Sequence, residues 1–336
     1  MSAVPRAAAI PEPRFDARPL ALLALLALAA WPLVGSTATW ATLTLAGLAM
    51  GMIVFIAASG LTLVFGLMDV LNFGHSVFIT LGAYVAVTVF AQLGGVAAAT
   101  GLGGSLLAVC LAMLAAMALG GVLGLGFERV VVRPVYGQHL KQILVTLGGA
   151  IIGEELIKVV WGPAQTPLPL PEALRGSIVL GDVEVEKFRA VAVAVGAVVL
   201  LGLLYVLNRT KVGLLIRAGV QDREMVESLG YRIRRLFVGV FAAGSALAGL
   251  GGCLWGMNAQ IVSPQIGGQV NVLLFIVIII GGLGSTLGCL VGALLVGLVS
   301  NYVGFLAPTL TMFSSIGLMV GVLSWRPQGL YPVARR

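Results

Sequence analysis

Neutral polar residues that could bind a solute occur at two glycine-containing interruptions of long apolar segments, at residues 66–76 and 281–286. They are Asn72, His75 and Ser76 in the first interruption, and Ser285 and Thr286 in the second. Non-helical backbone at membrane depth is tolerated only where protein or a water-filled cavity satisfies its polar groups. Paired interruptions in two halves of a chain are the best sequence indication of a path across a membrane. These side chains could line such a path, or they could simply cap broken helices.

Ionisable residues are the other candidates, and one apolar segment contains three of them, Glu154, Glu155 and Lys158. Glu154 and Lys158 stand four residues apart, so on a helix they share a face and can neutralise each other. They form either a paired polar patch near a membrane surface or a part of the path. Carboxylates inside membrane segments are typical of carriers driven by protons or ions. Because they are scarce here, we expect the driving force to come from elsewhere.

Sequence patterns for enzymatic or metal chemistry are absent. The chain has no Gly-x-x-x-x-Gly-Lys-Ser/Thr loop to cradle a nucleotide phosphate and no arrangement typical of nucleophilic catalysis. Its two histidines and three cysteines show no metal-ligand spacing. We therefore expect no catalytic residue, no metal and no cofactor, and no ATP bound by this chain through such a loop.

The composition indicates a protein whose solvent is mostly lipid. Of the 336 residues, 59% are hydrophobic and 10% are charged, and the mean hydropathy is +1.07. Soluble domains carry about a quarter charged residues. A net charge of +7 would suggest nucleic acid in a soluble protein, but these basic residues flank apolar segments, where they set membrane orientation. We expect membrane lipid, and no nucleic acid, as a partner.

Ten apolar segments predict an all-α, polytopic membrane protein with eight to ten crossings. They are residues 20–36, 41–67, 73–91, 103–127, 142–161, 187–207, 236–257, 270–283, 286–304 and 310–326. The second is long enough to be broken, and the eighth has about 14 residues against the ~20 of a full crossing, so it could be re-entrant. The first could instead be a signal peptide, although the nine segments that follow favour a span.

The predicted organisation is a single transmembrane domain with two tails. Residues 1–19, rich in proline, predict a disordered cytoplasmic tail. The domain covers residues 20–326, including a cytoplasmic connection at 208–235, and residues 327–336 form the second tail.

Loop charges predict the orientation in the membrane. Basic residues crowd the connections near residues 129–141 and 209–235 and the C-terminus, whereas residues 162–186 carry four acidic residues against one arginine. The positive-inside rule places the basic connections in the cytoplasm. Alternation over ten segments then puts both termini in the cytoplasm and Asp182 on the opposite side.

The connection at residues 208–235 contains an amphipathic stretch outside the apolar segments. Leu214, Ala218, Met225 and Leu229 recur at helical spacing, and Gly230 can end the helix. The polar members of the stretch include Arg217, Gln221, Asp222, Arg223 and Glu224. Such a helix could lie on anionic lipid or dock in a groove of a cytoplasmic protein. The mixed charge signs favour the protein.

Several motifs, in order along residues 41–325, resemble the permeases of branched-chain amino acid ABC importers. They are Leu61-Thr-Leu-Val-Phe-Gly66, Asn72-Phe-Gly-His75, Leu81-Gly82-Ala83-Tyr84, Glu128-Arg129, Arg133-Pro134, Thr146-Leu-Gly and Gly281-Gly-Leu-Gly284-Ser285. The run from Ile216 to Gly230 resembles the coupling segment of that family. The chain looks closer to the first of the two paired permeases than to the second.

The resemblance implies one subunit of an importer in the inner membrane of a bacterium. Such a subunit pairs with a second permease, two cytoplasmic ATPases that bind the ATP, and a periplasmic solute-binding protein. It implies that residues 214–230 contact an ATPase, and that backbone dipoles with Asn72, His75 and Ser285 meet the charges of an amino acid. The alternatives are a permease of the same architecture for urea, short amides or sugars, and a secondary carrier or channel.

Overall fold

The computed structural model describes residues 18–94, 101–221 and 223–332. Within these ranges twelve α-helices form: α1 (Arg18–Val34), α2 (Thr37–Met68), α3 (His75–Gln92), α4 (Leu102–Phe127), α5 (His139–Trp161), α6 (Lys187–Arg209), α7 (Lys211–Gln221), α8 (Arg223–Ser228), α9 (Ile233–Ala259), α10 (Ile266–Gly281), α11 (Thr286–Leu306) and α12 (Thr311–Trp325). Four short strands lie in the connections: β1 (Thr166–Pro167), β2 (Ser177–Leu180), β3 (Val183–Glu186) and β4 (Ile261–Val262). Residues 1–17 of the first predicted tail and residues 333–336 of the second lie outside the described residues.

Each of the ten predicted apolar segments is a helix, so the protein is a multi-pass membrane protein. In the described part of the chain, seven helices are long and apolar enough to cross a membrane: α2, α3, α4, α6, α9, α11 and α12. α1 and α10 are apolar but shorter, with 17 and 16 residues. α5 has 23 residues but carries charged side chains.

The second segment, which is long enough to be broken, is a single unbroken helix. α2 is continuous over 32 residues, because its sequence contains no proline and no charged residue that would interrupt the helix. It ends at Asp69, whose φ of 53° is left-handed, and the interruption follows at residues 69–74.

α2 forms the centre of the domain and packs closely against α9. Gly60 of α2 contacts the backbone of Gly244, and Ala57 contacts Gly251. In lipid, where packing rather than hydrophobicity drives helix association, small residues let two backbones approach this closely. Because the sequence numbers rise in α2 while they fall in α9, the two helices are antiparallel.

α2 and α9 end in the same way, and each leads into a shorter helix. Asp69 follows α2 and Gln260 follows α9, and among the described residues other than glycine these two alone have a positive φ. α3 and α10 each begin six residues after the left-handed residue. Since α2 and α9 are antiparallel, α2–α3 and α9–α10 form an inverted pair of units, an organisation that many transporters use to build a path.

The connections gather at opposite ends of the domain. At one end β1 pairs with β4, and the β2–β3 hairpin precedes α6. At the other end lie α7, α8 and the C-terminal segment, where the backbone amides of Leu330 and Tyr331 bond to the carbonyls of Ile280 and Gly281. α6 joins the two ends, and its 23 residues extend about 34 Å. The acidic connection therefore lies opposite the basic connection, as the loop charges predict.

Candidate functional site

The first interruption places the start of α3 inside the protein. Residues 69–74 run back into the domain without helical structure, and His75 begins α3. The His75 ring is fully buried, and its Nε2 donates to the carbonyl of Ala57, 3.1 Å away. Ala57 precedes the end of α2 by roughly 16 Å, at 1.5 Å per residue. α3 is therefore a discontinuous helix that starts at depth.

Several buried polar atoms around this start have no hydrogen-bond partner within the described residues. They are both side-chain polar atoms of Asn72, Nδ1 of His75, Oε1 of Gln142 and Oδ1 of Asn271. These four residues, the polar cluster, are at most 5% exposed. Buried polar atoms are nearly always bonded, and leaving one unmet costs about 1–3 kcal/mol. The polar cluster therefore offers donors and acceptors to a solute or to water.

Hydrogen bonds join the start of α3 to the start of α10 in both directions. Thr80 of α3 accepts, at 3.1 Å, from the backbone N–H of Gly267 in the first turn of α10. Asn271 of α10 donates through Nδ2, at 3.4 Å, to the carbonyl of Phe73 just before α3. Two helix N-termini, the positive ends of their dipoles, thus meet in the interior. We call these two bonds the α3–α10 latch.

The predicted path residues fall into two places. Ser76 lies beside the latch, where its hydroxyl donates to the carbonyl of Phe73 at 3.1 Å. Ser285 precedes α11, and its hydroxyl accepts from the backbone N–H of Gly288 at 3.0 Å. Thr286 is the first residue of α11. The structure therefore brings Asn72, His75 and Ser76 together, whereas Ser285 caps a helix at the other interruption.

The sequence interpretation did not select four polar residues of this region as solute-binding candidates. They are Thr80, Gln142, Thr146 and Asn271, each at most 5% exposed. Thr146 connects α5 to the interruption, because its hydroxyl accepts from the backbone N–H of Phe73 at 3.2 Å. Their signal in the sequence is a single polar residue inside an apolar helix, which identifies burial with a partner but not which partner.

The polar cluster contains amide and imidazole groups and no carboxylate, ammonium or guanidinium group. Helix N-termini bind anionic groups through their free N–H groups and dipole, and amide oxygens accept hydrogen bonds from cations. The polar cluster and the two helix N-termini beside it therefore provide hydrogen-bonding groups of both kinds and no fixed counter-charge. Among the described residues, no group of three histidine, cysteine or acidic residues could hold a metal ion.

The amphipathic stretch is helical on both sides of residue 222, as α7 and α8, and Gly230 follows α8 with a φ of +86°. Ile216 in α7 and Val226 in α8 are buried against the domain. Asp222 and the side chains of Gln221 and Arg223 lie outside the described part of the structure.

Most of the predicted apolar contacts of this stretch are on the surface. Leu214, Met225 and Leu229 are 61%, 62% and 70% exposed, and Ala218 is half-buried. Glu224 is exposed beside Met225. Arg217 is exposed and donates to the carbonyl of Leu207 at 2.6 Å, which ties α7 to the end of α6. Leu214, Met225, Leu229 and Glu224 form the surface that we call the α7–α8 face.

A basic groove of about 350 Å³ continues this face toward α9. It is lined by Glu227, Gly230, Tyr231, Arg232, Arg234 and Arg235. Tyr231 is 52% exposed. Aromatic and arginine side chains are the residue types enriched where proteins bind one another.

The predicted ion pair on α5 is confirmed. Nζ of Lys158 lies 3.0 Å from a carboxylate oxygen of Glu154. Glu155 joins the pair at 2.7 Å, through a spacing of three residues. Lys158 therefore forms ion pairs with both Glu154 and Glu155.

Comparison with known proteins places these features in a family. The family model described as "Branched-chain amino acid transport system / permease component" matches residues 43–323. The chain is 27% identical to the high-affinity branched-chain amino acid transport system permease protein BraD of Pseudomonas aeruginosa, over 84% of this chain and 93% of BraD. It is 26% identical to the corresponding protein LivH of Escherichia coli, over 84% of this chain and 92% of LivH.

A second permease protein of the same Escherichia coli system is also similar. The chain is 31% identical to LivM, over 94% of this chain and 75% of LivM. No solved structure matches the chain. Because the family model covers most of the transmembrane domain, including both interruptions and the α7–α8 face, this chain belongs to the branched-chain amino acid transport permease family.

Proposed function

We propose that this protein is a membrane subunit of an ATP-driven importer for branched-chain or related amino acids. The observation that carries the proposal is the α7–α8 face, which exposes apolar and charged side chains at one end of a transport-family domain. A carrier that works alone has no need of such a surface. The chain also lacks a phosphate-binding loop, so the ATP would be bound and hydrolysed by partner chains.

The polar cluster is the proposed site for the charged end of the solute. The N-termini of α3 and α10 would face the carboxylate, and the unmet oxygens of Asn72 and Asn271 would accept from the ammonium group. Binding would then supply the hydrogen bonds that these buried atoms lack. The apolar helices around the cluster suit an aliphatic side chain.

The α7–α8 face is the proposed contact with a cytoplasmic ATPase. Met225 and Leu229 would fill an apolar groove of that partner, and Glu224 would meet a basic or amide group beside it. Arg217 joins α7 to the end of α6, and Gly219 of α7 packs on Ile233 at the start of α9. Movement of the ATPase would therefore be transmitted to two membrane helices. Only a partner that binds one state of the domain more tightly can shift the balance of states.

The remaining partners follow from the same assembly. LivH and LivM are two permease proteins of one transport system in one organism, and both are similar to this chain, which supports a second permease subunit. A periplasmic solute-binding protein would deliver the amino acid at the β2–β3 end. In a bacterial inner membrane, the α7–α8 end and both termini would lie on the cytoplasmic side, which the basic connections support.

The test is recovery of the ATPase with variants of the α7–α8 face. Leu229→Asp or Glu224→Arg should abolish ATPase co-purification and uptake while the protein inserts at normal abundance. Loss of an apolar anchor costs about 2 kcal/mol or more at an interface, which is roughly a 30-fold weaker complex. The matched control is Val179→Asp in the hairpin at the opposite end, where the side chain is 62% exposed; it should leave the ATPase bound.

The opposite result would point to lipid as the occupant. If the α7–α8 face only lies on an anionic membrane, Leu229→Asp weakens its binding to lipid but leaves the ATPase bound. Glu224→Arg then leaves lipid binding unchanged or strengthens it. Undiminished co-purification with both variants would therefore end the proposal that this face is an ATPase contact.

A further inference from the structure

α5 carries acidic residues away from its ends, whereas the other long helices of the described chain carry charged residues only near their ends. Glu154 and Glu155 lie seven and six residues before the end of α5 at Trp161. In the other helices of 15 or more residues, within the bounds given above, every acidic or basic residue lies within three residues of an end. A π-helical turn continues α4 and carries Glu128, which differs from Glu155 because it is buried inside the domain. At 1.5 Å per residue, Glu155 is about 9 Å inside the end of the helix. Trp161 anchors that end, because its indole N–H donates to Thr88 at 2.9 Å.

This charged site lies on the outside of the domain. α5 contacts the domain through one narrow stripe, which includes the buried residues Gln142, Thr146 and Ile157. Successive residues on a helix turn by about 100°, so Glu155 falls nearly opposite that stripe. Its side chain is 63% exposed, while those of Glu154 and Lys158 are 33% and 23% exposed.

Lipid alone does not suit this face. Ionisable side chains in membrane segments nearly always face a bundle interior, a water-filled cavity or one another. Lys158 neutralises one carboxylate of the pair Glu154 and Glu155, which leaves one negative charge unmet about 9 Å inside the end of α5. Hydrocarbon chains provide neither a cation nor a hydrogen-bond donor for it.

We propose that the outer face of α5 is the contact with the second permease subunit, and that a helix of that subunit presents a basic or hydrogen-bond-donating side chain at the depth of Glu155. The α5 face is otherwise apolar, with Ile151 and Ile152 59% and 63% exposed. Gly148 lies one turn away from Ile152, and a Cβ there would meet nothing within 4 Å, so a neighbouring backbone can approach closely. This inference rests on the proposed two-permease assembly.

The exposed faces of α6 and α12 are apolar and, unlike that of α5, carry no charged side chain away from the helix ends. α6 exposes Val198 and Leu201 in its middle, and α12 exposes Phe313 and Ile316. Between Arg189 and Arg209 of α6, and throughout α12, the sequence contains no charged residue. Those faces suit lipid, and they supply the control for the experiment.

The experiment measures how accessible the α5 face is to a membrane-soluble maleimide in the assembled complex. Ile151→Cys on α5 is compared with Val198→Cys on α6, where the wild-type residue is 70% exposed, after the three native cysteines are replaced by alanine. The complex contains the second permease and the ATPases. We expect Ile151→Cys to react at least tenfold more slowly than Val198→Cys, and to form a disulfide with a cysteine of the second permease under mild oxidation.

A charge reversal tests the electrostatic part. Glu155→Lys should lower recovery of the second permease at least fivefold, whereas Glu172→Lys, an exposed carboxylate in the β1–β2 connection, should not. Equal reaction rates for the two cysteines, or undiminished recovery with Glu155→Lys, would overturn the inference. A disulfide between two copies of this chain would overturn it as well.

The outcome is separable from failure of the proposed function. If the wild-type chain recovers neither the second permease nor an ATPase, the two-permease importer itself is refuted. If the wild-type complex assembles but α5 reacts as fast as α6, only the placement of the interface on α5 is refuted.

Discussion

Thr80 offers the most direct test of the α3–α10 latch. Its hydroxyl accepts from the backbone N–H of Gly267 at 3.1 Å and has the carbonyls of Ser76 and Pro264 within 3.2 and 3.4 Å as acceptors. The residue is 3% exposed, so water cannot replace these bonds. Thr80→Val keeps the branched shape and removes the hydroxyl, leaving the Gly267 N–H without its acceptor.

The expected cost follows from that stranded donor. A buried donor without a partner costs about 1–3 kcal/mol, whereas side-chain hydrogen bonds measured in membrane proteins average about 0.6 and reach about 1.7 kcal/mol. The Thr80 site has an orphaned main-chain donor at a helix N-terminus, so we expect a loss of about 1–2 kcal/mol in the free energy of unfolding.

Thr62→Val is the matched control. Thr62 is 2% exposed on α2, and its hydroxyl donates to the carbonyl of Ala58 in its own helix. Its removal strands no backbone N–H among the described residues, and the other group that loses a partner is the weakly donating thiol of Cys289. The loss should therefore stay near the average of about 0.6 kcal/mol for such bonds in membrane proteins. The assay is reversible unfolding of the purified protein in detergent micelles, followed by helical signal. Equal stability of the two valine variants would refute the latch as a stabilising contact.

Two further predictions concern packing and orientation. Gly82→Ala should strongly reduce folded yield, because a Cβ there would meet the backbone carbonyl of Gly249, whereas Gly126→Ala, with nothing within 4 Å, should be neutral or stabilising by about 0.5–1 kcal/mol; size-exclusion recovery from membranes compares them, and equal yields would contradict the close α3–α9 contact. A cysteine at Asp182 should react with an impermeant thiol reagent in intact cells, and a cysteine at Glu224 should not; the reverse pattern would overturn the orientation.

The amino-acid sequence was sufficient to predict the ten helical segments and the two interruptions. Their apolar length and the polar, glycine-containing breaks are local features, and they determine where a chain in lipid can be helical. The continuity of α2 was not predicted, because the length of an apolar run does not say where a helix ends. That end depends on Asp69 taking a left-handed conformation.

The candidate site was predicted only in part, and the reason is its long-range character. Asn72, His75 and Ser76 are close in sequence and flank one interruption, so a local pattern identifies them. Thr80 bonds to Gly267 and Asn271 bonds to Phe73, across 187 and 198 positions of sequence. A single polar residue in an apolar helix does not identify such a partner.

The central claim is that partner ATPases drive import of an amino acid through this chain. The most direct measurement is leucine uptake into proteoliposomes that contain this protein, the second permease, the two ATPases and the solute-binding protein. The account predicts uptake that requires ATP and persists when an uncoupler abolishes the proton gradient. Uptake by this chain alone, driven by a proton or sodium gradient without ATP, would contradict it and identify a secondary carrier.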